Sequence, residues 1–141
     1  MTDQVNTRGL ALEFLLEVEK GALSHVALRG MLERYQYLDK QERAFLTRLC
    51  EGTLERRLEL DAIINHFSKV PVKKQKPVIR NLLRMSVYQL KYMDQVQSQE
   101  LLLLHVRSVR DVVRLQSHSS QCLVWFVTFR SARIVMEVVR S

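Results

Sequence analysis

The chain has 141 residues, 47% of them hydrophobic, which is the size and composition of one ordinary globular domain. Its polar N-terminus lacks the apolar core of a signal peptide, and its longest apolar runs, residues 101–104 and 122–127, are too short to cross a membrane. Cys50 and Cys122 lie far apart, which indicates neither a disulfide framework nor a zinc site. We therefore expect a cytoplasmic protein with no membrane or metal partner.

The net charge of +7 is unevenly distributed along the chain. Residues 1–71 carry 10 Lys/Arg and 11 Asp/Glu, whereas residues 72–141 carry 12 Lys/Arg and 4 Asp/Glu. A basic excess confined to one half indicates a phosphate-rich partner such as RNA. The alternative is that the charge only keeps the protein in solution.

The first ninety residues have the periodicity of amphipathic helices. A first helix is predicted after a cap at Asn6 or Thr7, and Gly21 ends it. Ser24 is predicted to cap a second helix, and Asp39 to open a third with a capping box to Glu42. The first helix has the following apolar face: Leu10, Ala11, Phe14, Leu15 and Val18.

The segment after Asp39 fits either one long helix or two helices with a break near residues 57–59. Pro71 ends this segment, because proline lacks the N–H that a helix interior requires. A basic connector follows, and Pro77 suits the first turn of the next helix. No strand-like alternation occurs before residue 95, which predicts an all-α bundle.

Residues 38–96 carry a family resemblance. The stretch LDKQERAFLTRLCEGTLERRLELDAIINHFSK, then a proline, a basic spacer and PVIRNLLRMSVYQLKYMDQV, resembles the NusB-type RNA-binding domain. Within that group it is most similar to the N-terminal domain of the Sun/Fmu 16S rRNA cytosine-5 methyltransferases, as is the opening NTRGLALEFLLEVEKGALSHVAL. The resemblance covers residues 6–96, which we interpret as a NusB-like helical domain.

The resemblance implies a helical bundle that binds RNA and, in the methyltransferases, precedes a separate catalytic domain that uses S-adenosylmethionine. This chain has no glycine after Gly52 and so no Gly-rich cofactor loop. We therefore expect the RNA-binding domain of a truncated 16S rRNA methyltransferase, which binds small-subunit rRNA, holds no cofactor and is not itself an enzyme.

Two other functions stay open at this stage. One is a free-standing NusB-like antitermination factor, which would bind leader RNA with a ribosomal-protein partner. The other is a non-functional fragment or a helical protein-interaction domain.

Basic residues and one tyrosine are the candidate RNA-binding residues. Lys76, Arg80 and Arg84 follow each other at helical spacing and predict one positive stripe along a phosphate backbone. Tyr88 continues the row and is predicted to stack on an unpaired base. The alternative is a solvated face with Tyr88 packed beneath it. The full candidate set is Arg8, Lys73, Lys74, Lys76, Arg80, Arg84 and Tyr88.

Other residues that carry reactive groups are predicted to be structural. Cys50 lies on the apolar face of its helix, as expected for a buried thiol. Asp61 is predicted to cap a helix or to pair with an arginine. The four histidines lack metal-binding spacing, so no metal site is predicted.

The composition changes after residue 96. Residues 97–141 contain no lysine, glycine or proline, and the closing motifs that the resemblance implies are missing. We interpret this divergent tail as out-of-frame translation that begins near residues 96–99. The alternative is a genuine tail with a helix at 101–115 and a strand or buried helical segment at 124–129. Translation of the coding DNA in its other two frames distinguishes the two interpretations.

Overall fold

The computed structural model describes residues 7–68 and 70–93, without the side chain of Phe67. Within these residues the elements are helical, which confirms the predicted all-α class. They are α1 (Thr7–Glu19), α2 (Ser24–Arg34), α3 (Lys40–Glu55), α4 (Arg57–Phe67), a short 3₁₀ turn (Val72–Lys74) and α5 (Pro77–Tyr92). The tail at 97–141, with both interpretations of it, lies outside the described residues.

The helix ends agree with the sequence prediction at most positions. Asp39 forms the expected capping box with Glu42, because the Glu42 N–H donates to Asp39 Oδ1 at 2.7 Å and the Asp39 N–H donates to Glu42 Oε2 at 3.2 Å. Gly21 follows α1 with φ +113°, a backbone conformation that favours glycine. The prediction for Ser24 is wrong: Leu23 occupies the cap position, and no side chain caps α2.

The charged stretch after α3 contains a helix break, so the two-helix alternative is the observed one. Arg56 is the residue between α3 and α4, with φ −100° and ψ 17°. Its N–H donates to the carbonyl of Gly52 at 3.1 Å, which closes the last turn of α3. The break redirects α4 so that it packs against α5.

Helix α5 occupies the middle of the bundle, in contact with α1, α3 and α4. Eight of its residues are buried, among them the polar Asn81, Ser86 and Gln89. Burial of each large apolar side chain in this core contributes about 1.5–3 kcal/mol. The largest fully buried apolar side chains are Phe14, Leu12, Met31, Leu46, Leu49, Leu60, Ile64, Leu82, Leu83 and Met85.

The crossing of α3 and α5 depends on Gly52. The Tyr88 ring occupies the space where a side chain at this position would begin, and a Cβ on Gly52 would overlap the Tyr88 hydroxyl and ring carbons. Only a residue without a Cβ allows so close an approach. The missing side chain at Gly52 therefore sets how closely α5 approaches α3.

The connector between α4 and α5 is anchored from the inside. Val72 is buried, and its N–H donates to Asn65 Oδ1 at 2.9 Å. The Gln75 side chain donates to the Val70 carbonyl at 2.9 Å. Pro77 begins α5 at a position where its missing N–H costs no helical hydrogen bond. These contacts hold a short basic segment at the surface.

Candidate nucleic-acid interface

Three of the predicted RNA-binding residues lie together on the connector. Lys73 and Lys74 belong to the 3₁₀ turn, and Lys76 is the cap residue of α5. All three are exposed. The Lys74 N–H donates to the Pro71 carbonyl at 2.9 Å, so the backbone of the turn is hydrogen-bonded. The arrangement presents three ammonium groups on an anchored backbone beside a helix N-terminus, where anions are favoured.

Arg80 points back into the bundle. Its guanidinium forms an ion pair with Glu19 at the end of α1, and Nη1 donates to the Gln75 carbonyl at 3.2 Å. Only 20% of the Arg80 side chain is exposed. Burial, and secondarily the charge of Arg84, lower the pKa of Arg80 from its ordinary value, and the guanidinium still stays protonated. Arg80 therefore joins α5 to α1.

Arg84 forms a two-pronged ion pair with Asp61 of α4. Nε lies 2.6 Å from Asp61 Oδ1 and Nη2 lies 2.9 Å from Oδ2. The Arg84 side chain is 11% exposed and that of Asp61 is 22% exposed. This geometry is the strong form of the arginine–carboxylate contact. Of the two structural roles predicted for Asp61, pairing with an arginine is the observed one.

Asn81 connects the two ion pairs. Its Nδ2 donates to Glu19 and, at 2.8 Å, to the Pro77 carbonyl, while Arg84 Nη1 donates to its Oδ1 at 3.1 Å. The predicted stripe is therefore split. Lys76 is exposed, whereas Arg80 and Arg84 are held in a polar network between α1, α4 and α5. A stripe at helical spacing does not guarantee one exposed face when the helix packs on several sides.

Tyr88 lies in the core, which corrects the expectation of a surface ring. It is 6% exposed, packs against Gly52, and its ring centroid lies 5.3 Å from that of Tyr92. The alternative in which Tyr88 is packed beneath the surface is thus the one observed. The physical reason is that α5 contacts three helices, which leaves little of its circumference for solvent.

Arg8 lies apart from the connector. Its Nε donates to Gln89 Oε1 at 2.7 Å, and its guanidinium carbon lies 4.9 Å from the centroid of the Phe45 ring. Glu19, which contacts Arg80, is eleven residues further along α1, or about 17 Å at 1.5 Å per residue. Arg8 therefore joins the beginning of α1 to α3 and α5, at a distance from the three lysines.

A further charged cluster escaped the sequence analysis. Glu59 accepts hydrogen bonds from Lys91, from the Tyr92 hydroxyl at 2.5 Å and from Arg56 Nη1 at 3.3 Å. These donors, Lys91 first, lower the pKa of Glu59 to about 2. Arg56 also lies over the Tyr92 ring, 4.3 Å from its centroid. No local spacing signals the whole cluster, because Glu59 lies 32 residues from Lys91 and 33 residues from Tyr92 in the chain, and only Arg56 is its near neighbour.

The thiol of Cys50 is fully buried, as predicted. Burial, with a smaller contribution from Glu51, raises the pKa of this thiol to about 12. A thiol in this state is a core side chain and not a nucleophile.

Neither a membrane span nor a metal cluster is found in the described part of the chain. None of helices α1 to α5 is long and apolar enough to cross a bilayer. Across residues 7–68 and 70–93, no three His, Cys, Asp or Glu side chains come together as metal ligands would.

The fold and its surface define a class of protein: an all-helical bundle around a central helix, with an anchored basic connector at the start of that helix. The model of the NusB family matches residues 5–117, and the chain belongs to this family. This confirms the predicted class, a NusB-type RNA-binding domain. The match extends beyond residue 96, where the composition changes, and the origin of the tail stays a prediction.

Two kinds of relatives are similar to the chain. It is 34% identical over 94 residues to the probable ribosomal RNA small subunit methyltransferase B of Bacillus subtilis (strain 168), covering 66% of this chain and 21% of the relative. It is 32% identical over 91 residues to the transcription antitermination protein NusB of Listeria monocytogenes serotype 4a, covering 63% of this chain and 66% of the relative. The chain thus matches about a fifth of the length of the methyltransferase.

Solved structures share the fold. A chain in the crystal structure of a plectonemic RNA supercoil superposes with a TM-score of 0.79 at 18% identity, covering 100% of this chain and 99% of the other. NusB from T. maritima superposes with a TM-score of 0.71, also at 18% identity, covering 94% and 91%. The predicted NusB-like bundle is confirmed.

Proposed function

We propose that the chain binds RNA through Lys73, Lys74 and Lys76, and that small-subunit rRNA is its target. The observation that carries the proposal is the exposure of these three lysines on an anchored connector in a domain of the NusB family. Arg80 and Arg84 are assigned to the network with Glu19 and Asp61 and not to RNA.

The connector has the properties of a phosphate-binding element. Three ammonium groups within four residues contact neighbouring phosphates of a strand without reading its bases. Each phosphate contact releases a counterion, so affinity falls steeply as salt rises. The internal anchors at Val72 and Gln75 keep the backbone of the connector in place when RNA binds, which limits the loss of conformational entropy.

The choice of small-subunit rRNA rests on the methyltransferase relatives, which are described as acting on this RNA. In this proposal the chain acts as an RNA-binding module in the cytoplasm. Methyl transfer and S-adenosylmethionine belong, in this proposal, to portions of those relatives that the chain does not match.

A second candidate function is transcription antitermination. It is favoured by the match to NusB of Listeria, of which the chain covers 66%. In that case leader RNA of the boxA type and a ribosomal protein would be the partners. A helical domain without RNA activity is the third candidate.

A gel-shift titration with the full chain distinguishes the candidates. The probes are small-subunit rRNA fragments and a boxA-type RNA, each at about 50 and about 200 mM salt. We expect an rRNA fragment to bind more tightly than boxA RNA at both salt concentrations, with weaker binding at the higher one. Preference for boxA RNA would favour antitermination, and the lack of any shift would contradict both RNA functions.

Replacement of Lys73, Lys74 and Lys76 by Ala tests the site itself. We expect affinity to fall about tenfold or more at low salt, with a shallower dependence on salt, because up to three phosphate contacts are lost. The matched control replaces Lys20, Lys40 and Arg57, which are exposed outside the connector, and removes the same charge. An equal loss in both variants would show that only net charge matters and would contradict the assigned site.

A further inference from the structure

An open groove lies where the end of α1 meets α2. Its volume is about 580 Å³. It belongs to elements other than the connector that carries the three lysines. The residues that line it are Glu17, Ala22, Val26, Ala27, Gly30, Glu33 and Arg34.

The floor of the groove is apolar and made of small residues. Ala22, Ala27 and Gly30 leave room above the backbone, and a Cβ added at Gly30 would meet no atom within 4 Å. Val26 is 56% exposed, and the adjacent Leu23 is 64% exposed. Small residues between exposed aliphatic side chains form a depression that accepts the ridge of another helix.

Two of the three charged residues that line the groove are carboxylates, Glu17 and Glu33, and the third is Arg34, so the lining carries one net negative charge. Glu13, which is outside the lining, lies one turn before Glu17 on α1, and like charges at this spacing repel each other. Burial is the main cause that raises the pKa of Glu13; Arg34 acts in the opposite direction and Glu17 adds to the rise. On the other wall Glu33 pairs with Arg29 at 3.1 Å, but both side chains are more than half exposed, so this pair contributes little.

We propose that this groove binds a basic amphipathic helix of a partner protein. Aliphatic side chains of that helix fill the space above Ala22 and Gly30, and its lysines or arginines approach Glu17 and Glu33. The carboxylates disfavour the phosphates of RNA at this surface, whereas cations relieve the repulsion between Glu13 and Glu17. The proposal does not depend on the RNA function assigned to the connector.

Two synthetic helical peptides test the charge preference. Both carry leucine at positions i, i+3, i+4 and i+7; the other positions are lysine in one and glutamate in the other. Fluorescence anisotropy with the full chain is expected to show binding of the lysine peptide at least about tenfold tighter than that of the glutamate peptide. Because the whole chain carries +7, unspecific attraction would favour the glutamate peptide instead. That result would overturn the proposal.

Gly30→Leu tests the location. The substitution fills the groove at a position with open space and improves helix propensity, so we expect α2 to stay folded. Affinity for the lysine peptide is expected to fall about tenfold or more, because the peptide's own leucine is excluded. Ala44→Leu, at an exposed position of α3, is the matched control and is expected to bind as the original chain does. Unchanged affinity of Gly30→Leu would overturn the proposal.

The two surfaces are separated by a reciprocal test. We expect Gly30→Leu to keep its gel-shift with rRNA, and the variant without Lys73, Lys74 and Lys76 to keep its affinity for the lysine peptide. Helical circular dichroism of each variant verifies folding. If Gly30→Leu kept its helicity but bound neither RNA nor the lysine peptide, a separate peptide groove would be contradicted. If the lysine variant lost RNA binding and kept its affinity for the peptide, only the RNA function of the connector would be concerned.

Discussion

Two neighbouring groups of basic residues differ in what surrounds them. Lys73, Lys74 and Lys76 are exposed on the connector, whereas Arg80 and Arg84, only a few residues later, are held by Glu19 and Asp61. Each of these five residues adds one positive charge to the chain. The difference teaches that the charge of a segment predicts an interaction surface only when its partners within the fold are known.

The largest expected effect follows from breaking the arginine network. Arg84→Ala leaves the largely covered carboxylate of Asp61 without a counter-charge. We expect the free energy of unfolding to fall by about 2–3 kcal/mol. This loss is smaller than for a fully buried pair, because Asp61 is partly exposed. Urea denaturation measures the loss.

Arg57→Ala is the control, because Arg57 is exposed at the start of α4. We expect this variant to stay within about 0.5 kcal/mol of the original chain. If the free energy of unfolding of Arg84→Ala also fell by no more than about 0.5 kcal/mol, Arg84 would not stabilise the fold. The distinction between structural arginines and ligand-binding lysines would then be lost.

The next effect concerns the burial of Tyr88. Gly52→Ala forces a methyl group into the Tyr88 ring, and we expect a loss of about 1–3 kcal/mol from overpacking. The hydroxyl is the nearest atom, so Tyr88→Phe in the Gly52→Ala background is expected to recover part of the loss in the same denaturation experiment. If Gly52→Ala were neutral, Tyr88 would not be packed as described and a surface role for it would be open again.

Glu19→Gln tests whether Arg80, once released from its ion pair, can act with the three lysines. It removes the negative charge that Arg80 contacts, beside the start of α5. We expect stability to fall by about 1 kcal/mol and RNA affinity at low salt to rise about twofold, because Arg80 then adds its charge to that of the lysines. Glu55→Gln, an exposed position on α3, controls for the change in net charge. An equal rise in both variants would assign no particular role to Arg80.

The smallest effect is expected from Glu59, a surface residue whose pKa is about 2. A carboxyl with a lowered pKa in the folded state stabilises the fold above its ordinary pKa, 4.5, and this stabilisation is lost as pH falls through about 2. We expect Glu59→Gln to lower the melting temperature near neutral pH, and the difference from the original chain to vanish as pH falls from about 4.5 to about 2. A difference independent of pH would exclude the charge of Glu59 as its cause.

Local patterns predicted much of the bundle. The capping box of Asp39, the glycine after α1 and the prolines around the connector act through a few neighbouring residues, so their effect is visible in the sequence. Ser24 shows the limit of such rules: a residue with a good capping side chain became the first residue of α2, and Leu23 took the cap position.

The sequence by itself determined the helical class, the family, the connector and the buried thiol, because periodicity, capping and motif spacing are local properties of a chain. Only the tertiary structure decided which basic residues face solvent. Arg84 meets a carboxylate 23 residues away, Arg8 meets Gln89 across 81 residues, and Tyr88 is buried because Gly52 lets α3 approach. Such contacts depend on how helices cross, and a spacing of three or four residues along one helix carries no information about its neighbours.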